Sequence, residues 1–168
     1  MLFRSPTILD NTWATPLFCR PLDLGVDISV ASGSKYLSGH SDCMLGTIAC
    51  THDHFAAVRK TVMAVGDKTG GQEIFLMLRG LRTLKLRMAA VDAAGREMAA
   101  WFADQPQVKR VLHPALASCP GHEHWKRDFS GAAGLFGVVF HPCEDDQIRA
   151  FVDALHHFGI GVSLGGYE

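Results

Sequence analysis

Short apolar runs closed by turn residues alternate along this chain with stretches of helical spacing, and that alternation points to a layered α/β architecture. Residues 7–10 and 27–31 read as short buried strands, separated by a segment containing Pro16 and Pro21. Residues 43–50 read as a third strand. Phe55, Val58, Val62 and Val65 then fall at helical spacing across residues 52–65, and the run Gly66-Asp67-Lys68-Thr69-Gly70-Gly71 ends the pattern. No proline interrupts residues 72–103, where Leu76, Leu84, Met88, Val91 and Met98 keep one apolar stripe, so the spacing predicts a single long helix. A domain boundary is expected inside it near Leu81, dividing the chain into residues 1–81 and 82–168. Residues 108–112 and 135–140 read as further strands and 122–129 as a short helix. Residues 145–158 read as an amphipathic helix with Ile148, Phe151, Val152 and Leu155 inward.

Composition narrows the function classes. At 168 residues, 48% hydrophobic content and a formal charge of -1, the chain has material for one globular domain or a little more. Both charge signs are mixed along it without a basic stripe or basic-aromatic alternation, which argues against nucleic acid as a partner. The five cysteines, Cys19, Cys43, Cys50, Cys119 and Cys143, form no Cys-x-x-Cys pair and are expected as reduced, buried thiols of a cytoplasmic protein. No apolar run approaches the roughly eighteen residues of a membrane span, and Met1 to Pro6 holds no signal-peptide core, so no membrane partner is expected.

The segment Ser32-Gly33-Ser34-Lys35-Tyr36-Leu37-Ser38-Gly39-His40-Ser41-Asp42 sets a lysine beside small hydroxyl residues directly after an apolar run. Such a lysine can carry pyridoxal 5'-phosphate covalently, with Ser32 and Ser34 offering hydroxyl donors to the phosphate around Gly33. An arbitrary lysine in such a turn is a surface residue. Asp10 closes the run Thr7-Ile8-Leu9, at the strand end where open α/β sheets bind ligands, and a pyridoxal ring needs an acidic group at its nitrogen. Taken alone, Asp10-Asn11-Thr12 is equally a turn or a helix cap. His52-Asp53-His54 and His122-Glu123-His124 set imidazoles two apart, a spacing that shares a metal on a strand but diverges on a helix, so no metal is assigned. His40 and Asp42 are read as shaping the turn after Lys35.

Taken with Asp10-Asn11-Thr12-Trp13-Ala14-Thr15-Pro16, Arg79-Gly80-Leu81-Arg82-Thr83-Leu84, His113-Pro114-Ala115-Leu116, Gly121-His122-Glu123-His124-Trp125-Lys126-Arg127-Asp128-Phe129 and Ser163-Leu164-Gly165-Gly166-Tyr167-Glu168, the lysine segment resembles the Cys/Met-metabolism family of fold-type-I pyridoxal-phosphate enzymes. The resemblance spans nearly the whole chain in the family's order. It implies an aspartate aminotransferase-like α/β fold, with part of the large cofactor domain in residues 1–81 and part of the C-terminal α/β domain in 82–168. Trp125-Lys126-Arg127-Asp128-Phe129 favours the beta-eliminating branch, whose substrate is cystathionine, whereas Leu164 stands where the enteric pattern of that branch has tryptophan and resembles the gamma-acting branch, so a gamma-acting member or a catalytically silent fragment is the alternative.

The same resemblance implies roles. Lys35 would hold the cofactor, remove the alpha proton of the amino-acid substrate and protonate the departing sulfur. Asp10 would keep the ring nitrogen protonated, Ser32 and Ser34 would bind the phosphate, and Ser163 would stand near the substrate carboxylate and Lys35. Without the resemblance Ser163 is a turn serine before two glycines. Homo-oligomers, tetramers in the family, are implied as well. Against the family the chain is expected to be a middle portion, lacking the glycine-containing phosphate loop, the tyrosine that stacks on the ring and the arginine that clamps the substrate carboxylate.

Overall fold

The structure, a computed structural model, describes residues 4–166; Tyr167 and Glu168 of the last motif lie outside the described residues. Its first layer is a three-stranded sheet in the order β1 (Ile8–Asp10), β2 (Ile28–Ser32), β3 (Gly46–Cys50). β1 runs parallel to β2, with Asp10 beside Val30, and β2 pairs antiparallel with β3, with Ser32 opposite Gly46. The connection between β1 and β2 holds a short helix α1 (Thr15–Phe18) and a 3-10 turn at Pro21–Leu24, each with proline in its first turn, where the missing N–H costs nothing. Asp27 locks the start of the pair. Its carboxylate accepts hydrogen bonds from the Thr7 amide at 2.8 Å, the Thr7 hydroxyl at 3.0 Å and Arg4 at 2.8 Å.

Helices α2 (His52–Val65), α3 (Gly71–Leu81) and α4 (Leu84–Ala103) follow β3. A second sheet pairs β4 (Val108–Leu112) antiparallel with β5 (Gly137–Phe140), separated by α5 (His122–Asp128) and followed by α6 (Asp145–Asp153), whose start is fixed by a reciprocal Glu144–Gln147 capping box. α4 joins the two sheets. Its buried residues Leu84, Met88, Gly95 and Ala99 recur at helical spacing. Leu84 and Met88 meet Tyr36, Leu37 and Ala133 in one cluster, against which Phe18, Ala31, Met77, Val91 and Leu164 pack. Further along α4, Asp92 accepts a hydrogen bond from the Ala132 amide at 2.7 Å and pairs with Arg96 at 3.0 Å, and a side chain at Gly95 would crowd the Gly134 Cα. Segment 131–134 is thereby held flat on the helix.

Several expectations change. The long helix is two helices, because Arg82 and Thr83 interrupt it: the Arg82 amide turns to the Arg79 carbonyl, three residues back, and the Thr83 amide and hydroxyl both donate to the Gly80 carbonyl, at 3.1 Å each. β1 and β2 are not fully buried; Ile8 is 66% exposed. None of the apolar stripe of α2 is buried, and Phe55 and Val65 stand open to solvent. α6 ends at Asp153, so Leu155 lies beyond it at the surface, while Phe151, though 37% exposed, packs edge-on against Phe140 of β5. β3 begins at Gly46 rather than Cys43, and β5 at Gly137 rather than Leu135. Of the cysteines, Cys19 alone is buried and Cys143 is exposed. No helix among the described residues is long and apolar enough to cross a membrane.

Two groups tie stability to pH with the same sign. The Thr7 hydrogen bonds, with Arg4 beside them, hold the Asp27 carboxyl below its ordinary value of 3.8. Burial, with Arg96 nearby, holds the His113 imidazole below its ordinary value of 6.5. Both folded forms bind protons less readily than the unfolded chain, so their contributions are full above the ordinary values and are lost as the pH falls. Urea midpoints measured against pH should therefore decline below about 6.5 and again below about 4, and Asp27→Asn should lower the midpoint at pH 7 while making the second decline shallower, the Asp128 carboxyl, held low by Arg127, keeping part of it.

Candidate active site around Lys35

β2 delivers the lysine. After Ser32 the chain leaves the sheet through a wide helical turn at Gly33–Leu37, closed by the Ser38 amide donating to the Gly33 carbonyl at 3.0 Å and the Gly39 amide donating to Lys35 at 2.7 Å. The backbone at Lys35 itself is not helical, with φ -93° and ψ -122°, so the kink turns Lys35 away from the buried pair Tyr36 and Leu37. Those two side chains enter the core, and Lys35 stays half-exposed above them.

Glycines permit three backbone approaches around this turn. A Cβ at Gly80 of α3 would run into the Ser38 carbonyl and Cα, one at Gly33 would meet Leu45 at 2.9 Å, and one at Gly165 would lie 2.9 Å from the Tyr36 amide and 3.1 Å from the Lys35 Cβ. Gly165 also has φ +78°, which disfavours any other residue. The close packing of Gly165, with Leu164 on the core, sets Ser163 over the turn. The Lys35 Nζ donates a hydrogen bond to the Ser163 Oγ across 128 residues of chain.

Asp10 and the serines occupy the ends of the neighbouring strands. The Asp10 carboxylate accepts a hydrogen bond from the Thr12 amide at 2.8 Å, and the Thr12 hydroxyl accepts one from the Ser32 amide at 2.8 Å. Thr12 thus bridges the carboxyl ends of two parallel strands, the edge at which such sheets bind ligands. Ser34 turns its hydroxyl to Leu45, accepting from the amide at 2.9 Å and donating to the carbonyl at 3.4 Å. His40 bonds the Ser38 carbonyl at 2.6 Å and belongs to the turn. Lys35 and Ser163 are therefore brought into contact, Asp10 and Ser32 are joined through Thr12, and Ser34 is held against β3's approach.

Three contributors escaped the sequence reading. Thr12 stands two residues after Asp10, the spacing of a carboxylate that caps its own turn. Arg87 lies on the apolar stripe formed by Leu84, Met88 and Val91, where a charge needs polar partners, and it bonds the Tyr36 carbonyl at 2.7 Å. Gly165 carried no signal beyond its glycine pair. Among the described residues no three His, Cys, Asp or Glu side chains gather as a metal site. An open hollow of about 460 Å³ between the end of α4, β5 and α6 shares no residue with the lysine turn, and no acidic or basic side chain other than His141 lines it.

The donor set suits pyridoxal phosphate: an amine on a kinked turn, hydroxyls following a strand, and a carboxylate at the end of the parallel neighbour. The comparisons agree. The family model described as Cys/Met metabolism PLP-dependent enzyme matches residues 4–168, and the chain belongs to that family. It is 44% identical over 165 residues to a putative cystathionine beta-lyase of Rhizobium johnstonii, covering 96% of this chain and 42% of that protein. It is 38% identical over 162 residues to the cystathionine beta-lyase of Escherichia coli, covering 96% of this chain and 41% of that protein. The structure of cystathionine gamma synthase from Xanthomonas oryzae pv. oryzae in complex with aminoacrylate and cysteine superposes with a TM-score of 0.91 at 32% identity, over 98% of this chain and 42% of that one. The chain thus spans about two fifths of the length of the relatives it matches.

Because Gly80 meets backbone at Ser38, alanine there should act against helix propensity. Gly80→Ala, worth up to about 1 kcal/mol of stabilisation in an exposed helix, should instead destabilise by about 1–3 kcal/mol. Urea denaturation checks the sign.

Proposed function

We propose that this chain supplies the lysine-bearing part of a pyridoxal-phosphate carbon–sulfur lyase that cleaves cystathionine by beta-elimination. The observation that carries the reading is the contact of the Lys35 amine with Ser163 across the full breadth of the chain, since a surface lysine has no need of a partner 128 residues away. Residues 1–81 make up the cofactor side and residues 82–168 the beginning of a second α/β unit that presents Ser163. The family's homo-oligomer is the assembly in which the site works.

Bound pyridoxal phosphate supplies an electron sink for the alpha carbon of the substrate amino acid. Lys35 would hold it, and its Nζ would serve as the base that takes the alpha proton. Asp10, at the exposed end of β1, would keep a proton on the ring nitrogen, its carboxylate steadied by the Thr12 amide. Ser32 and Ser34, at the start of the turn, would bind the phosphate, Ser34 by exchanging its contact with the Leu45 backbone. Ser163 accepts a hydrogen bond from Nζ and thereby directs the amine toward the reacting atoms. In beta-elimination Nζ would return that proton to the departing sulfur, so that cystathionine and water would give homocysteine, pyruvate and ammonia.

The relatives' printed names support the beta-eliminating reading, and the fold match to a gamma synthase keeps the gamma-acting reaction as the alternative outcome. Titration of the chain with pyridoxal phosphate, followed by borohydride reduction and peptide mapping, should place the label on Lys35. In the lyase assembly, Lys35→Ala should lower turnover by at least about 10²–10⁴-fold. Pyruvate from cystathionine supports beta-elimination, 2-oxobutyrate replaces it with gamma-elimination, and label spread over surface lysines refutes the assignment of Lys35.

A further inference from the structure

Arg87 is half-buried on α4, and no carboxylate pairs with it among the described residues. Its partners are neutral. Nη1 donates to the Tyr36 carbonyl at 2.7 Å, Nη2 to the Gly80 carbonyl at 2.9 Å and to the Leu37 carbonyl at 3.4 Å, and Nε to the Thr83 hydroxyl at 3.0 Å. Tyr36 and Leu37 close the Gly33–Leu37 turn, and Gly80 lies at the end of α3, where its carbonyl also accepts from the Thr83 amide and hydroxyl, so the guanidinium reaches the terminal carbonyls of both elements. A cation is the favoured group at such ends because the aligned peptide dipoles place partial negative charge there. Burial lowers the proton affinity of Arg87 from its ordinary value, the mark of a charge drawn partly out of water. Gly39 leaves the space the guanidinium fills, since a Cβ at that position would strike it.

We propose that Arg87 is a positioning residue for Lys35, a shared C-terminal cap that ties the lysine turn to the end of α3 and so fixes the direction from which the amine approaches Ser163. The lysine's part in this rests on the function proposed above. The guanidinium fork is what the role requires, because one planar group has to reach carbonyls on two elements and the Thr83 hydroxyl together. Lysine keeps the charge but brings a single nitrogen.

Hydrogen–deuterium exchange of the purified chain tests the cap without the cofactor. In Arg87→Lys the Ser38 and Gly39 amides, which close the turn, should exchange about tenfold faster, the effect expected when a charge-assisted bond is lost, while the amides of α6 keep their wild-type rates. Borohydride labelling with pyridoxal phosphate should at the same time shift severalfold away from Lys35. Unchanged exchange at both amides in a folded variant overturns the proposal, as does faster exchange with undiminished labelling of Lys35. Should Arg87→Lys fail to fold by circular dichroism, Thr83→Val removes the Nε partner together with that hydroxyl's bond to the Gly80 carbonyl, leaves the guanidinium on the Tyr36 and Leu37 carbonyls, and should speed the same amides about threefold; wild-type rates there overturn the proposal too. A wild-type chain whose label never reaches Lys35 refutes the function proposed above, and the exchange rates still decide whether Arg87 caps the turn.

Discussion

The site depends on one backbone contact, that of Gly80 with Ser38. Because α3 carries no side chain at that point, its last turn lies directly on the lysine turn, and the carbonyls of both come within reach of one guanidinium. The same approach presses Tyr36 and Leu37 onto Leu84 and Met88. From there rigidity spreads in two directions, through α4 to segment 131–134 and through Leu164 to Ser163. The role proposed for Lys35 needs such support, since in catalysis a misplacement of about 1 Å costs on the order of 10²-fold in rate.

What could be read in the sequence divides along the reach of the forces involved. The strand end and the turn that carries Lys35 were legible because an apolar run followed by a glycine and small hydroxyls is a local pattern, and β2 does end where that pattern begins. The break between α3 and α4 was not legible, because neither Arg82 nor Thr83 is a helix breaker. The interruption is tertiary: Gly80 is held on Ser38, Thr83 takes the Gly80 carbonyl from the next turn, and the change of direction lets Met77 and Leu84 meet the same cluster. Ser163 was placed by resemblance, and its contact with Lys35 comes from Gly165 fitting against the Lys35–Tyr36 backbone, which no local rule encodes.

Burial was the least legible property. The stripe Phe55, Val58, Val62 and Val65 does form one face of α2, yet Phe55 is 55% exposed and Val65 73%, and on α3 Phe75 and Leu78 are exposed as well. Periodicity reports which side of a helix is apolar, not what lies against it. In α4 the two coincide, because Leu84 and Met88 find Tyr36 and Ala133 within these residues. In α2 and α3 they part, in a chain two fifths as long as the relatives whose pattern it shares.

The same distinction bears on Leu164, the position at which the sequence departs from the enteric beta-lyase pattern. Its side chain packs against the Tyr36–Met88 cluster, one residue from Ser163 and one from Gly165. A change of size at this position would alter how deeply the loop seats, and through that seating where the Ser163 hydroxyl meets Nζ. The contact of Lys35 with Ser163 is thus made at a strand's end and set from the core beneath it, so that its geometry answers to packing at Leu164 as well as to the two polar side chains.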